Sequence, residues 1–398
     1  MAERRSNPRN QAKPVRSALV GDAFADLKGR GARSNRESRF LQAVHEVDPE
    51  YLEQERNNAD IRADAGVETL PEPGLEESPQ AAGIKTHITI ERARTIISRN
   101  DSPDIPFDQS VNPYRGCEHG CVYCYARPSH AYLGLSPGLD FETQLFAKEN
   151  AAELLEKELR KPGYRPSMIQ LGANTDPYQP IEREHRITRS VIEVLAKYKH
   201  PISITTKSSL VVRDIDLLQE MAKEGLVHVW ISVTSLDRDI ARTLEPRAPT
   251  PARRLDAIAE LSRTGVPVGV MVAPLIPSLT DPEMESILEA AAAAGARNAA
   301  YTVVRLALEI RDLFVEWLQE FAPLRANHVM SLIRDMRGGK DYDSDFATRM
   351  TGTGVFAALL RRRFDLACRR LNLQGYRVKL DASRFRVPEE AGAQQRLF

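Results

Sequence analysis

From about residue 109 the sequence alternates short apolar runs with amphipathic stretches of ten or more residues, and this alternation constrains the fold more than any other feature. The runs that predict strands are Ser110–Asn112, Met168–Leu171, Ile202–Thr206, Val227–Val233, Val268–Val272 and Ala300–Val304. Helices are predicted between and after them, at Ala147–Arg160, Ile187–Lys197, Asp214–Glu224, Ala252–Thr264, Pro282–Ala294 and Ala307–Phe321. Such alternation is typical of an α/β fold, in which helices cover a parallel sheet. Six units predict an incomplete (β/α)6 barrel, a partial TIM barrel with its chemistry on the loops that leave the strand carboxyl ends.

Two flanking regions differ from this core in composition. Residues 1–84 are polar, rich in Pro, Arg, Glu and Asn, and lack a sustained periodicity, so they predict a disordered arm and linker. The alternating core then spans residues 85–322. Beyond it, residues 323–398 predict a helical C-terminal extension, with its main helix at Val355–Leu371, and a short tail.

Charge is unevenly distributed along the chain, although the formal net charge of the 398 residues is zero. Residues 1–40 hold ten Lys and Arg against four Asp and Glu, residues 41–90 hold three against eleven, and residues 361–398 hold ten against four. Basic ends on a neutral body indicate either contact with nucleic-acid phosphates or a solvated surface, and composition does not separate the two.

The compartment is predicted from apolar runs and cysteine usage. The sequence has no run of about 18 apolar residues and no apolar secretory signal at its start, so we expect a cytoplasmic protein without a membrane partner. Three of the four cysteines lie within eight residues, which does not resemble a disulfide framework. Clustered thiols in a cytoplasmic chain indicate a metal site.

The cysteine loop, residues 116–125, follows the first predicted core strand and spaces Cys117, Cys121 and Cys124 as C-x3-C-x2-C. Three thiolates at this spacing converge on one inorganic site if the loop wraps around it, and the loop's two glycines supply the backbone freedom for that wrap. Iron–sulfur clusters prefer thiolate ligands, and three thiolates leave one iron of a 4Fe–4S cube open for reaction.

A structural zinc site is the alternative for the same cysteines, with His119 or His130 as the fourth ligand. Structural zinc sites usually pair two C-x2-C hooks, and this sequence has no second hook. Cys368 lies in a predicted amphipathic helix, where a lone cysteine is more often a small buried hydrophobe than a ligand. The spacing alone leaves open both an iron–sulfur protein and a zinc-stabilised nucleic-acid-binding protein.

The cysteine spacing, with the aromatic Tyr123 before the last cysteine, resembles the signature of the radical S-adenosylmethionine (SAM) superfamily. Further segments are similar to the branch that includes spore photoproduct lyase, and more narrowly to bacterial PA0069-family radical SAM proteins. These segments are Thr175–Glu182, Thr205–Lys207 and Leu244–Thr250, and the resemblance spans about residues 83–386. It implies a radical SAM barrel, a 4Fe–4S cluster on the three loop cysteines, SAM on the open iron, and an electron donor of flavodoxin or ferredoxin type. The implied reaction cleaves SAM reductively to methionine and a 5′-deoxyadenosyl radical, which abstracts hydrogen from the substrate.

The resemblance also implies residues that contact SAM. Thr175 and Asp176 follow the second core strand, where the superfamily places a loop that bonds the SAM amino group; the alternative is an ordinary turn. Lys207 ends the third strand and is the implied partner of the SAM carboxylate, or else a solvated lysine. Ser232, near the end of the fourth strand, is implied to bond the ribose or the methionyl carboxylate.

Four residues are implied in catalysis. Tyr123 and Tyr125 flank the last loop cysteine, where tyrosines of spore photoproduct lyase belong to the hydrogen-transfer path; packing over the cluster is the alternative. Glu245 and Arg247 follow the fourth strand and either orient SAM or substrate or form a surface ion pair. The lyase carries a cysteine hydrogen donor just after its second strand, whereas this chain reads Gly-Ala-Asn-Thr at residues 172–175. The resemblance therefore does not imply that this chain repairs the same lesion as the lyase, or that hydrogen is returned along the same path.

The C-terminal residues Gln394, Leu397 and Phe398 form a Gln-x-x-Leu-Phe motif, which resembles the peptide by which bacterial DNA enzymes dock on the sliding clamp. An exposed tail places the two apolar side chains in a pocket while the glutamine bonds its rim. With the basic run Arg361–Arg363, the motif predicts a nucleic-acid partner, either for an enzyme or for a clamp-associated adaptor without catalysis.

Overall fold

The structure is a computed structural model of the full chain and describes residues 29–36, 38–40, 85–375 and 378–389. Its described residues contain the strands β1 (His87–Ile90), β2 (Ile97–Arg99), β3 (Gln109–Val111), β4 (Tyr114–Arg115), β5 (Gln144–Ala147), β6 (Ile169–Leu171), β7 (Ile202–Thr206), β8 (Val227–Ser232), β9 (Val268–Leu275) and β10 (Asn298–Val303). Seven of them form a sheet in the order β10-β9-β8-β7-β6-β3-β2. All neighbours in this sheet run parallel except β2, which pairs antiparallel with β3 at one edge.

The six parallel strands confirm the predicted incomplete α/β barrel. Strand β8 shows why the sequence folds this way, because its two faces differ in chemistry and both are buried. Val227, Val229 and Ile231 belong to the hydrophobic core. The alternate residues share the other face of the pleated strand, and Ser232 ends that face at the carboxyl end. The carboxyl ends of the parallel strands therefore carry the polar side chains of the site.

Helices connect and cover the strands. They are α1 (Asp140–Thr143), α2 (Ala151–Leu159), α3 (Glu182–His185), α4 (Ile187–Lys197), α5 (Ile215–Lys223), α6 (Arg238–Leu244), α7 (Pro251–Arg263), α8 (Met284–Ala293), α9 (Ile310–Phe321), α10 (Ala326–Asp335) and α11 (Gly354–Leu371). In α4 the buried residues Ile187, Val191 and Leu195 recur every fourth position, which forms an apolar stripe on one face. None of the described helices is both long and apolar enough to cross a membrane.

The C-terminal extension packs on the barrel. The predicted main helix is α11, which buries Leu360, Phe364 and Cys368 among other residues. Cys368 is 9% exposed and belongs to the main hydrophobic core, as the sequence indicated for a lone cysteine in an amphipathic helix. Burial raises the pKa of its thiol to about 11, so the thiol is protonated at neutral pH. The clamp-like motif at Gln394, Leu397 and Phe398 lies outside the described residues.

A second, three-stranded sheet in the order β1-β5-β4 was not predicted. Its strands are two to four residues long, and β1 is exposed throughout, so no apolar alternation reveals it. Strand β4 pairs with β5 and leads directly into the cysteine loop. At the start of that loop, the Cys117 amide donates to the Phe141 carbonyl over 2.9 Å. The small sheet thereby fixes where the cysteine loop begins.

Residues 29–36 and 38–40, here called the N-terminal strap, lie against the cysteine loop and helix α9. The sequence assigned them to a disordered arm, whereas in the structure the amides of Gly31 and Ala32 donate to the buried Glu142 carboxylate over 3.0 and 2.8 Å. A Cβ atom built on Gly31 would lie 1.7 Å from the Gly120 carbonyl oxygen, so only glycine fits this approach. Because polar and backbone groups make these contacts, hydrophobic periodicity does not predict them.

Candidate functional site

A cavity of about 580 Å³ lies where the parallel strands end and the cysteine loop crosses them. The three loop cysteines line it. The side chains that follow the strand ends line it too, including Thr175 and Asp176 after β6, Lys207 after β7, Ser232 at the end of β8 and Arg305 after β10. The cavity thus contains every predicted metal and cofactor residue, and it occupies the end of the barrel where parallel α/β folds hold their chemistry.

The cysteine loop is compact and buried. Cys117 and Cys121 are each 7% exposed, and Cys124 is half-buried. Gly116 and Gly120 have φ angles of 73° and 67°, in the left-handed region that favours glycine. A Cβ atom on Gly116 would also lie 2.6 Å from the Leu145 side chain. The glycines therefore allow the sharp wrap that brings the thiols to one cavity.

The three thiols influence one another electrostatically. Burial raises the pKa of Cys117, and Asp176 and the neighbouring thiols raise it further. Burial also raises the pKa of Cys121, while Lys207 opposes that increase. Two thiolates in this buried place need positive charge, and a bound metal cluster supplies it.

The donor set fits a cluster held by three cysteines better than a Cys3His zinc site. The His130 Nε2 atom lies 2.9 Å from the Gln144 carbonyl oxygen, and His130 does not line the cavity. The His119 Nδ1 atom lies 3.3 Å from the Asp176 carboxylate. Among the described residues, no three His, Cys, Asp or Glu side chains are close enough to share a single ion. A 4Fe–4S cube is larger than one ion, so its thiolate ligands stand further apart.

Thr175 and Asp176 line the cavity, but protein groups already use much of their bonding capacity. The Thr175 hydroxyl donates to the Tyr114 carbonyl over 3.0 Å. The Asp176 carboxylate accepts from the Thr206 hydroxyl, at 2.6 Å, and from the Lys207 amide, at 2.8 Å. Burial would raise the pKa of Asp176, but His119 and these donors lower it to about 2. Asp176 therefore ties the loops after β6 and β7 to the cysteine loop.

Lys207 and Tyr123 meet at the wall of the cavity. The Lys207 Nζ atom lies 5.8 Å from the centroid of the Tyr123 ring, in the arrangement of a cation–π contact. Burial would lower the pKa of Lys207, but Glu245 and Cys121 outweigh that effect and raise it, so the side chain is cationic. A partly buried cation beside the cysteines attracts the carboxylate of a ligand, or the net negative charge that three thiolate ligands give to a positively charged cluster core.

Glu245 lies behind Tyr123 and does not line the cavity. It is 1% exposed, and its carboxylate accepts from the Tyr123 hydroxyl and from Thr234 Oγ1, the latter over 2.7 Å. Its other oxygen pairs with Arg254, which is also buried. Burial would raise the pKa of Glu245, but Arg254 and Lys207 lower it to about 2. Glu245 is therefore placed to hold Tyr123 and not to contact a ligand.

Tyr125 stands at the mouth of the cavity. Its side chain is 48% exposed, and its hydroxyl donates to the Ala173 carbonyl. The Arg305 guanidinium lies 4.6 Å from the centroid of its ring. Of the two predicted tyrosines, Tyr125 is thus the accessible one, whereas Tyr123 is buried against the cation Lys207.

Arg247 lines a different cavity, of about 770 Å³, which we call the arginine groove after Arg183, Arg247 and Arg253. Its guanidinium pairs with Glu118 of the cysteine loop over 3.0 Å. His119 is the residue shared by the arginine groove and the cysteine-lined cavity. Arg247 and Glu245, predicted together from one loop, therefore face different surroundings.

Several residues that brace the site were not predicted from the sequence. Arg254 and Glu142 are fully or almost fully buried charges, and Arg127 joins Glu142 to the Cys121 carbonyl, which it contacts over 2.8 Å. Gln179 bonds the Glu118 amide and the Gly116 carbonyl, each over 3.0 Å. Gln179 lies within a segment that carried the family resemblance, which was a usable signal. The partners of Glu142 are up to 112 residues distant in sequence, so nothing near it indicated its role.

Three comparisons relate the chain to known proteins. A family profile described as the Radical SAM superfamily matches residues 111–291. An uncharacterized protein of Mycobacterium tuberculosis is 37% identical over 279 residues, which cover 68% of this chain and 81% of the relative. A protein of Pseudomonas phage M6 named radical SAM Nalpha-GlyT isomerase is 27% identical over 237 residues, covering 58% of this chain and 46% of the relative.

Among solved structures, a mutant of spore photoproduct lyase matches with a TM-score of 0.50 and 15% identity, over 82% of this chain and 96% of the lyase. At that identity the likeness shows a shared fold. The profile match and the extent of the mycobacterial match show the family of this chain as well. The chain belongs to the radical SAM superfamily, whose members use a 4Fe–4S cluster and SAM as cofactors.

Proposed function

We propose that the chain is a radical SAM enzyme whose cluster ligands are Cys117, Cys121 and Cys124. One observation carries the proposal, which is that these thiols share a single cavity with Lys207 and Ser232 at the carboxyl ends of the parallel strands. When bound, the cluster and SAM together supply a 5′-deoxyadenosyl radical that abstracts a hydrogen atom. The protein's own contribution is binding, orientation and exclusion of water.

The residues of the cavity have separable roles in this proposal. Lys207 presents a partly buried ammonium group to the carboxylate of SAM, and Ser232 presents a hydroxyl to its ribose or carboxylate. Thr175 lines the same wall. Its hydroxyl donates its one hydrogen bond to a protein carbonyl, so the lone pairs of the hydroxyl oxygen can still accept. Asp176, Glu245 and the bonds around them hold these groups in place.

For the substrate we propose a nucleic acid, with DNA as the first candidate. Two observations support it: the shared fold with spore photoproduct lyase, and Arg361, Arg362 and Arg369 of α11, which are exposed and form no ion pair with the described residues. The return of hydrogen to the product must differ from that lyase, because residues 172–175 line the cavity without a thiol. Tyr125, exposed at the mouth beside Arg305, is the proposed contact with the substrate. The C-terminal clamp motif remains part of this proposal as a DNA-directed tether.

Anaerobic reconstitution with iron and sulfide tests the proposed function. The wild-type protein is expected to bind about four irons per chain and, with dithionite and SAM, to form 5′-deoxyadenosine. Cys121→Ala should lose both properties, whereas Cys368→Ala should keep both, because Cys368 lies in the hydrophobic core. A colourless zinc protein, or a reconstituted cluster that never cleaves SAM, would refute the proposal.

A further inference from the structure

The cysteine-lined cavity and the arginine groove share one lining residue, His119. His119 stands between Cys117 and Cys121 in the sequence, is 2% exposed and lines both spaces. The Arg247 amide donates to the His119 carbonyl over 3.3 Å, which fixes the rim of the groove to the cysteine loop. A molecule seated in the groove therefore contacts a residue of the cysteine loop without entering the cavity.

The groove carries an excess of positive charge that the protein does not neutralise. Arg183 and Arg253 are exposed, and neither forms an ion pair with any residue that the structure describes. Arg247 pairs with Glu118, and Glu260 pairs with Arg263, so these charges largely cancel. Asp256 is the opposing charge that remains.

A helix terminus adds to this potential. Helix α7 begins at Pro251, and the residues Ala248 and Pro249 just before it line the groove. The Thr250 side chain makes no capping hydrogen bond, so the first amides of the helix keep their partial positive charge on this side. Two unpaired guanidinium groups and a 13-residue helix dipole thus act on the same space.

The proposed function requires an electron from outside the chain. Each reductive cleavage of SAM consumes one electron, and the sequence holds only four cysteines, of which Cys368 is buried in the core. The protein therefore has too few thiols for a second iron–sulfur cluster. A separate carrier must be oxidised by one electron for each electron that the cysteine site accepts.

We propose that the arginine groove is the docking site of an acidic one-electron carrier protein of the flavodoxin or ferredoxin type. This inference rests on the proposed function. The substrate needs contact with the cysteine-lined cavity, because a hydrogen atom is abstracted there, whereas an electron needs only a short path through protein. The groove offers that short path at His119, and its charge attracts an acidic partner by electrostatic steering.

The test measures binding of the reconstituted holoprotein to a purified bacterial flavodoxin and, in parallel, to a bacterial ferredoxin. The double variant Arg183→Glu with Arg253→Glu is expected to weaken binding of the carrier about 10-fold or more at low salt. Asp256→Asn should strengthen it, because it removes the opposing charge. The matched control is Lys161→Glu with Arg165→Glu, two exposed cations before β6, which lie at the amino ends of the strands and should not alter binding.

The second readout is the reduction of the reconstituted cluster, which is monitored by absorbance. Reduction by carrier should slow in the groove variant, while dithionite-driven cleavage of SAM stays at the wild-type level. Three results would overturn the inference: no binding of either carrier to the wild type, equal binding by the groove variant, or loss of oligonucleotide binding in that variant with carrier binding intact. If the wild-type protein does not cleave SAM with dithionite, the proposed function is refuted. The binding measurements then decide separately whether the groove binds a carrier.

Discussion

Lys207 is the side chain whose surroundings most restrict what it can bind. It is partly buried and cationic, yet its ammonium group makes no hydrogen bond to the residues that the structure describes. The carboxylate that most raises its pKa, Glu245, is already occupied by Tyr123, Thr234 and Arg254. A partly buried cation with no direct partner carries a desolvation cost, which an anionic ligand offsets. At this position the ligand is the carboxylate of SAM in the proposed function.

Replacing Lys207 by Met should weaken SAM binding about 10- to 100-fold, since a charge-assisted hydrogen bond contributes about 1.5–3 kcal/mol. Lys207→Arg, which keeps the charge, should lose less. Equilibrium dialysis of SAM against the reconstituted protein measures this effect. Iron content of the variants should remain at the wild-type level, and an unchanged affinity for SAM in Lys207→Met would contradict the assigned role.

At the scale of elements, the loop after β8 and helix α7 are held together by one buried ion pair. Glu245 comes from the end of α6, and Arg254 from the first turn of α7. The Arg254 guanidinium also reaches the Ser232 carbonyl over 3.1 Å and the Pro249 carbonyl over 2.8 Å. Strand end, loop and helix therefore share a single charged hub directly behind Tyr123.

Glu245→Gln should destabilise the protein by about 3–5 kcal/mol, because it leaves the Arg254 charge buried without its partner. The pH dependence has a defined sign. The pKa of Glu245 is lowered from 4.5 to about 2, so its stabilising effect is present above pH 4.5 and is lost as the pH falls towards 2. Urea unfolding under anaerobic conditions, repeated between pH 7 and pH 3, measures both effects.

The control for that experiment is Glu220→Gln, which removes an exposed ion pair with Lys223. Its cost should stay below about 1 kcal/mol, because surface pairs are screened by solvent. If the two variants lose equal stability, or if the deficit of Glu245→Gln is the same at pH 3 as at pH 7, the buried pair does not have the role described.

For the whole molecule, the N-terminal strap connects parts that are remote in sequence. Its arginines pair with successive acidic residues of α9 and its flank, including Arg33 with Glu320 and Arg39 with Glu309. Its backbone is held by Glu142, which also binds Arg127. The strap therefore couples the cysteine loop to the last helix of the barrel.

Gly31→Ala should detach the strap, because the added methyl group would overlap the Gly120 carbonyl. We expect the reconstituted cluster of this variant to lose iron to a chelator several-fold faster than that of the wild type. The decay of its visible absorbance measures this loss. Gly375→Ala is the control, since a Cβ atom there has no neighbour within 4 Å and its φ lies outside the left-handed region. Equal rates of iron loss in the wild type and both variants would show that the strap does not protect the site.

The sequence predicted the core of this fold well because burial is periodic there. Strand β7 and helix α4 have the predicted bounds, Ile202–Thr206 and Ile187–Lys197. The strap and the small sheet were missed because backbone amides, glycines and surface charges stabilise them, and none of these produces an apolar period. The core alternation is thus a property of local sequence, whereas the strap depends on pairs of residues as many as 287 positions apart.

The site was predicted unevenly for the same physical reason. The three cysteines were predicted from their spacing, and Lys207 and Ser232 from the family resemblance at strand ends; all five line the cavity. Glu245 was expected to act on a ligand, yet it is buried against Arg254, a residue nine positions later whose partner no pattern revealed. Which of two neighbouring residues, Glu245 or Arg247, faces a cavity depends on tertiary packing.

The separation in sequence between the strap and its partners also has a consequence for biosynthesis. The strap leaves the ribosome early, but Glu320 is made 287 residues after Arg33. At about 5–20 residues per second, this interval lasts roughly 15–60 seconds. During that time the cysteine loop has been synthesised while its cover has no helix to bind. In the proposed function, this interval gives the nascent chain a period in which iron and sulfide reach the thiols before completion of the barrel covers them.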